Sequence, residues 1–81
     1  MDESVKKLIS GRTLEYIQQN AMSQTMFAKH CGINPSYLSN ILNGIFEYKA
    51  AEGKIVPISD KYFHIIADCI GMNLQESVWD I

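Results

Sequence analysis

The chain lacks long hydrophobic runs and any pattern of a targeting segment. No apolar stretch among its 81 residues is long enough to cross a membrane, and residues 1–10 show no signal-peptide pattern. The two cysteines, Cys31 and Cys69, both lie on predicted helix faces among apolar residues. We therefore expect a cytoplasmic protein without membrane contact, in which both thiols are reduced and buried.

Patterns typical of catalysis and of metal binding are absent as well. The sequence contains no Gly-rich phosphate loop, no nucleophile elbow and no pair of buried carboxylates. His64 and Cys69 are five residues apart on one predicted helix and turn away from each other, and the adjacent His30 and Cys31 lie on different faces. No C-x-x-C or H-x-x-x-H pair supplies ligands for a tetrahedral site. We expect neither an enzyme nor a bound metal or cofactor.

What the chain does contain is the composition of one small globular domain. Hydrophobic residues make up 47% of the sequence and charged residues 20%, which excludes a disordered chain. Residues 1–81 suffice for one domain with a modest core, and domains of this size often gain stability from a partner chain.

Residues 23–44 have the capping signals of two short helices joined by a glycine turn. Ser23 is a good N-cap for the first helix, and Gly32 stands where that helix must end. Asn34 can cap the second helix, with Pro35 at its first position, where the missing proline N–H costs nothing. Asn43 and the glycine after it suit the end of this second helix.

The second of these helices has one apolar face and one face of neutral polar groups. At about 100° per residue, Leu38, Ile41 and Leu42 cluster on the side that must face the core. The opposite side carries hydrogen-bonding groups without charge, which belong to Ser36, Asn40 and Asn43, flanked by Tyr37 and Ser39. Ordinary solvated helix faces usually carry Lys, Glu or Arg. Small amides and hydroxyls suit the edges of DNA bases, since Asn can bind adenine in a bidentate way.

The spacing within this segment is also that of a known family. The residues concerned are the Ser23-Gln24 opening, Ala28, Gly32, Ile33, Leu38, Ile41 and the closing Asn43-Gly44. With these residues, 23–44 resembles the helix-turn-helix of the lambda-repressor-like (Cro/C1, or Xre) DNA-binding family. The resemblance implies an all-α, five-helix domain that binds double-stranded DNA. From it we expect a phage-like transcriptional regulator, a repressor that binds an inverted-repeat operator as a homodimer.

The resemblance also implies roles for individual residues. Positions that approach bases in the family are Gln24, Pro35, Ser36 and Asn40, and positions near phosphates are Ser23, Tyr37 and Asn43. Asn34 and Ser39 complete the expected DNA-contacting set. Pro35 departs from the family pattern, because it cannot donate a hydrogen bond to a base. Tyr37 has an alternative role, in which it packs against the loop after Gly44.

The flanking segments predict three further helices and one connection. A first helix is expected over 3–20, interrupted at Gly11, with an inner face formed by Val5, Leu8, Ile9, Tyr16 and Ile17. A fourth helix begins after Ser59, and a short fifth covers 74–80. The connection 45–57 is an extended surface loop in the plainer interpretation and a small hairpin in the alternative. In either form, we expect Lys49 and Lys54 to contact the DNA backbone.

Net charge is the main objection to DNA binding. The formal charge is −2, whereas DNA-binding domains are commonly basic. Residues 23–44 nevertheless contain Lys29 and His30 and no acid, and the acidic excess falls in 59–81. Because few phosphates would be neutralised, we expect a dimer. Its candidate interface is formed by Val78, Trp79 and Ile81; in the alternative, Trp79 packs into the small core and closes it.

A different function remains open at this stage. The acidic balance and Pro35 favour a protein-interaction module that has kept the fold and lost most DNA affinity. Such a module would be an antirepressor or an antitoxin-like subunit, and its partner would be a toxin or another regulator. The uncharged polar face of the second helix opposes this alternative.

Overall fold

The computed structural model of the chain describes residues 1–72, which form four helices and one hairpin. In chain order these are α1 (Glu3–Gln19), α2 (Gln24–Cys31), α3 (Pro35–Leu42), β1 (Glu47–Lys49), β2 (Ile55–Pro57) and α4 (Asp60–Cys69). None of these helices is long and apolar enough to span a membrane. The expected fifth helix at 74–80 and the candidate dimer residues Val78, Trp79 and Ile81 lie outside the described residues.

Helix α1 runs without a break through Gly11, so the predicted interruption is wrong. Its predicted inner face is also wrong at Leu8, which is 40% exposed. Ser10 and Thr13 are buried instead. The Ser10 hydroxyl donates to Ile41 O at 2.7 Å, and the Thr13 hydroxyl donates to Ile9 O at 2.6 Å. These bonds remove the cost of burying the hydroxyls, and the Ser10 bond joins α1 to α3.

The core lies where all four described helices and the hairpin meet. Tyr16 packs edge-on against Phe27 with ring centroids 5.7 Å apart, and Phe46 packs similarly on Phe63 at 5.5 Å. The buried apolar side chains are Ile9, Ile17, Phe27, Ala28, Ile33, Leu38, Ile41, Leu42, Ile58, Phe63, Ile66 and Ala67. Five of them belong to residues 27–41, so packing of the two short helices fixes a large share of the core.

The connection between α3 and α4 contains an antiparallel hairpin, so the extended-loop interpretation is wrong and the domain is not purely α-helical. Tyr48 pairs with Val56, and hydrogen bonds from Ala50 N to Lys54 O and from Ile58 N to Phe46 O flank the strands. In this alternation the Pro57 nitrogen points away from β1, so its missing N–H costs no ladder bond. The hairpin is stabilised because its inner side chains pack against the helices.

Helix α4 is capped as expected by Ser59, whose hydroxyl accepts a bond from Lys61 N at 3.4 Å. Next to the cap, Asp60 lies 2.7 Å from the α-ammonium group of Met1 and 3.8 Å from Lys6 Nζ. The hydrogen bond from that ammonium group lowers the pKa of Asp60 below its ordinary 3.8, against a smaller opposing effect of desolvation. This cluster joins the start of the chain to the start of α4.

The exposed glycine inside α1 offers a direct test of the unbroken helix. An added Cβ at Gly11 meets no atom within 4 Å, so Gly11→Ala should raise the free energy of unfolding by about 0.5–1 kcal/mol through helix propensity. Gly32→Ala is the matched control, since its φ of +73° should make alanine cost about 1–2 kcal/mol. Urea denaturation measures both. A destabilising Gly11→Ala would contradict the unbroken helix.

The lowered pKa of Asp60 predicts a pH-dependent contribution to stability. Because the pKa falls on folding, the ion pair should stabilise the protein above about pH 4 and lose this effect as acid protonates the carboxylate. Asp60→Asn should lower the free energy of unfolding at pH 7 by less than about 1 kcal/mol, since the side chain is 48% exposed. In denaturation measured across pH, the difference from wild type should shrink as the pH falls below about 4 and vanish once the pH is well below the lowered pKa of Asp60. Asp68→Asn, also on α4, controls for loss of a carboxylate; a pH-independent difference would refute the prediction.

Candidate nucleic-acid interface

The two short helices begin at the caps that the sequence predicts. Ser23 Oγ accepts a hydrogen bond from Met26 N at 3.1 Å, and Asn34 Oδ1 accepts one from Ser36 N at 2.7 Å. Gly32 ends α2 in the left-handed conformation, and Pro35 is the first residue of α3. The caps leave the Ser23 hydroxyl hydrogen and the Asn34 amide nitrogen available to a ligand at the helix N-termini.

Helix α3 turns outward its uncharged polar face, the polar stripe formed by Ser36, Asn40 and Asn43. Leu38, Ile41 and Leu42 are buried as predicted. On the other side, Ser36 and Asn43 are exposed, and Asn40 between them is half-buried. The remaining predicted contact residues near the stripe are exposed at Gln24 and Pro35 and half-buried at Ser39. Ser36, Asn40 and Asn43 therefore lie at helical spacing on one face, without a charged side chain among them.

Asn40 is held by the hairpin. Its Nδ2 donates a hydrogen bond to Glu47 O in β1 at 3.1 Å. A carbonyl accepts only from a donor, so this bond fixes which end of the amide faces the hairpin. The second N–H and Oδ1 stay available. A bidentate contact with adenine N7 and N6 requires Oδ1 and the N–H on its side of the amide, so it is compatible with a hairpin bond made through the other N–H.

Asn43 is exposed and is also held by one hydrogen bond. Its Nδ2 donates to Ser39 O within the same helix at 2.8 Å, at the end of α3. One N–H and Oδ1 remain free, but the side chain is folded back along the helix end. A phosphate contact through Asn43, which the family resemblance implies, stays a prediction.

Tyr37 packs within an aromatic cluster, which is the alternative that the sequence left open. Its ring centroid lies 4.8 Å from that of Tyr48 in β1 and 5.1 Å from that of Tyr62 in α4. Desolvation, followed by a hydrogen bond with Tyr48, raises the pKa of the Tyr37 hydroxyl above its ordinary 10. The cluster joins α3, the hairpin and α4. A phosphate contact through Tyr37 stays a prediction.

A groove of about 200 Å³ separates the C-terminal end of α3 from the hairpin. Its lining residues are Asn40, Ile45, Glu47, Tyr48, Lys49 and Ile55. Ile45 is 50% exposed and Ile55 is 61% exposed, although both are large and apolar. Neither isoleucine was predicted as a site residue, because 45–57 has the sequence pattern of a connection between helices. The position of Ile45 directly after the helix-ending Gly44 was a signal that could have drawn attention to it.

The two lysines of the hairpin are both exposed, as contacts with a DNA backbone would require. Lys54 Nζ lies 4.0 Å from Glu52 Oε2, with both side chains about 80% exposed. Such a pair contributes little to stability and is easily broken by a ligand. Lys49 lines the groove beside Asn40 and is therefore the lysine nearer to the polar stripe.

The two cysteines meet where α2 and α4 end. Both are free and half-buried, and their side chains are neighbours. Burial first, then the interaction with the Cys69 thiol, raises the pKa of Cys31 from 9.0 to about 12. Among residues 1–72, no three potential ligands lie together in a group able to hold a metal ion. The pair functions here as part of the apolar packing between the two helices.

The raised pKa predicts an unreactive Cys31. At neutral pH its thiolate fraction should be far below that of a thiol with the ordinary pKa of 9.0, so alkylation should be slow. Iodoacetamide labelling followed by peptide mass spectrometry, in buffer and in urea, measures this protection. Cys69→Ser should restore part of the rate only, because burial is the larger cause. Equal rates in buffer and urea would show that the thiol is not protected.

The geometry agrees with comparison to known protein families. The profile described as Helix-turn-helix (HTH_3, the Cro/C1 or Xre type) matches residues 14–62, which include α2, α3 and the hairpin. Comparison with curated proteins and with solved structures gave no match. The family is typically non-enzymatic. Since the matched region spans more than half of the chain, the protein belongs to the Cro/C1-type helix-turn-helix family of DNA-binding transcriptional regulators.

Proposed function

We propose that this protein represses transcription by binding an inverted-repeat operator as a dimer. In this proposal α3 lies in the major groove, with Ser36 and Asn40 at base edges and Gln24 of α2 beside them. Ser23, Asn34 and Asn43 contact phosphates near the helix ends. Tyr37, Ser39 and Pro35 border this surface, and Lys49 and Lys54 reach the backbone beyond it.

The main support for the proposal is the composition of the outward face of α3. Its side chains are exposed or half-exposed amides and hydroxyls, and residues 23–44 contain no acid. A helix that only covers the core has no need of an uncharged outer face. A helix that reads bases needs hydrogen-bond donors and acceptors, which amides and hydroxyls supply, and acidic groups that would repel phosphates are absent from this segment.

The low positive charge supports the dimer. Non-specific affinity for DNA depends on the number of phosphates that cations neutralise, and this surface offers few of them. Two copies double these contacts and place two α3 helices in successive major grooves about 34 Å apart. Sedimentation with and without operator DNA tests this part of the proposal directly.

A protein-interaction module is the second candidate, and the formal charge of −2 favours it. Salt titration of binding to a random duplex separates the two functions. A DNA-binding protein should bind weakly at low salt and lose this binding as salt rises, with a shallow slope. Complete lack of binding at low salt would favour the interaction module.

Selection of bound duplexes from a random pool tests the operator proposal. Wild type should enrich an inverted repeat, and Asn40→Ala should relax the preference at one base pair in each half-site. Loss of that contact should cost about 1–3 kcal/mol in binding free energy. Gln18→Ala, an exposed amide on α1, is the matched control and should enrich the wild-type sequence. If wild type enriches no sequence, operator recognition is wrong.

A further inference from the structure

The four described helices all end in the same hydrogen-bonded turn. In α3, Gly44 N donates to Ile41 O at 3.0 Å and Ile45 N donates to Asn40 O at 2.8 Å. This pair of bonds defines the Schellman motif, in which one residue adopts a positive φ and the next one folds back over the helix. The same two bonds close the other helices, with positive φ at Ala21, Gly32 and Gly71.

Only the turn of α3, among these four, lacks the apolar contact that normally accompanies the motif. The residue after the turn usually packs on an apolar residue of the last helical turn. The corresponding pairs are Ile17 with Met22 in α1, Ala28 with Ile33 in α2 and Ala67 with Met72 in α4. The first member of each is buried, and the second is buried or half-buried. In α3 the pair is Asn40 with Ile45, which leaves Ile45 half-exposed beside an amide.

The hairpin brings a second apolar group to the same place. Ile55 is the cross-strand partner of Lys49, and it lines the groove together with Asn40 and Ile45. Its 61% exposure is the largest among the exposed apolar side chains described. The groove thus combines an amide of fixed orientation with two uncovered isoleucines.

The charges around the groove indicate what kind of ligand it fits. Glu47 and Lys49 both line it, so their charges compensate, which favours a neutral group over a phosphate. The major-groove edge of an A·T pair is neutral and presents adenine N7 and N6 and, beyond thymine O4, the thymine methyl group, whereas a G·C pair presents no methyl group. Asn40 belongs to both the stripe and the groove, so a duplex placed on the stripe also meets the groove.

We propose that this groove reads one A·T base pair, with Asn40 on adenine and Ile45 and Ile55 on the methyl group of the paired thymine. The Asn40 amide donates one N–H to adenine N7 and accepts from N6 through Oδ1, while its other N–H stays on Glu47 O. The two isoleucines cover the thymine methyl. This inference rests on the proposed operator binding and assigns a base pair and two further specificity residues to it.

Deoxyuridine substitution tests the inference, because it removes only the thymine methyl. The base pair is first located as the one at which Asn40→Ala relaxes the selected sequence. Replacing its thymine by deoxyuridine should weaken wild-type binding about fourfold, the effect of one buried methyl group. The double variant I45A/I55A should bind both duplexes with equal affinity. Leu8→Ala, an exposed apolar residue on α1, should keep the full fourfold discrimination.

The outcomes separate this inference from the proposed function. If no operator is selected, the operator proposal fails and the groove has no base pair to read. Two results would overturn the groove inference while operator binding stands. In the first, the base pair at which Asn40→Ala relaxes the selected operator is G·C. In the second, wild type binds the deoxyuridine duplex as tightly as the thymine duplex. Unchanged discrimination in I45A/I55A also overturns the inference. The deoxyuridine measurement on wild type needs no variant, so poor folding of the double variant leaves the test intact.

Discussion

The last turn of α3 is the point on which the geometry of the interface depends. The last carbonyl groups of a helix have no partner within the helix. At the end of α3, three hydrogen bonds connect this turn to other parts of the chain. Ser10 of α1 donates to Ile41 O, Ile45 donates to Asn40 O, and Asn40 itself donates to Glu47 O of the hairpin. Because α1, α3 and the hairpin share this turn, a shift of any one of them changes the direction of the polar stripe.

The aromatic cluster of Tyr37, Tyr48 and Tyr62 restrains α3 a second time, near its N-terminal end. Tyr37 stands one turn before Asn40 and contacts both Tyr48 and Tyr62. The hairpin is therefore attached to α3 at two points, through the contact between the Tyr37 and Tyr48 rings and through the hydrogen bond from the Asn40 side chain to Glu47 O. Side chains that read bases need fixed rotamers, since entropy lost on binding reduces affinity. The hairpin supplies this rigidity without taking a position in the stripe.

Local sequence signals predicted the four described helices and the N-caps of three of them, because capping depends on residues within one turn of each other. Ser23, Asn34 and Ser59 are the clearest examples. The hairpin was not preferred, because strands of three residues carry almost no periodicity and are stabilised by packing against distant helices. On α1, the burial of Ser10 in place of Leu8 was also not predictable from local signals. A buried hydroxyl is favourable only when it has an acceptor, and here the acceptor is a carbonyl of another helix.

The site was predictable to a different degree at each residue. Helical spacing alone placed Ser36, Asn40 and Asn43 on one face, as the structure has them. The orientation of the Asn40 amide was not predictable, because it depends on a backbone carbonyl seven residues later whose position requires the hairpin. Ile45 and Ile55 were missed for a related reason: an exposed isoleucine is recognised as unusual only after its neighbours are known.

The charge of the protein bears on what kind of DNA binding is physically consistent with this surface. Cationic contacts raise affinity for every sequence, so a basic domain binds widely and must then discriminate among many occupied sites. A surface with few cations begins from weak non-specific binding, and hydrogen bonds and apolar contacts to base edges then contribute a larger share of the total. Its affinity for any single half-site is low for the same reason. In the proposed complex, the neutral stripe of α3 therefore provides selectivity, and the second copy of the chain provides the affinity that a formal charge of −2 cannot.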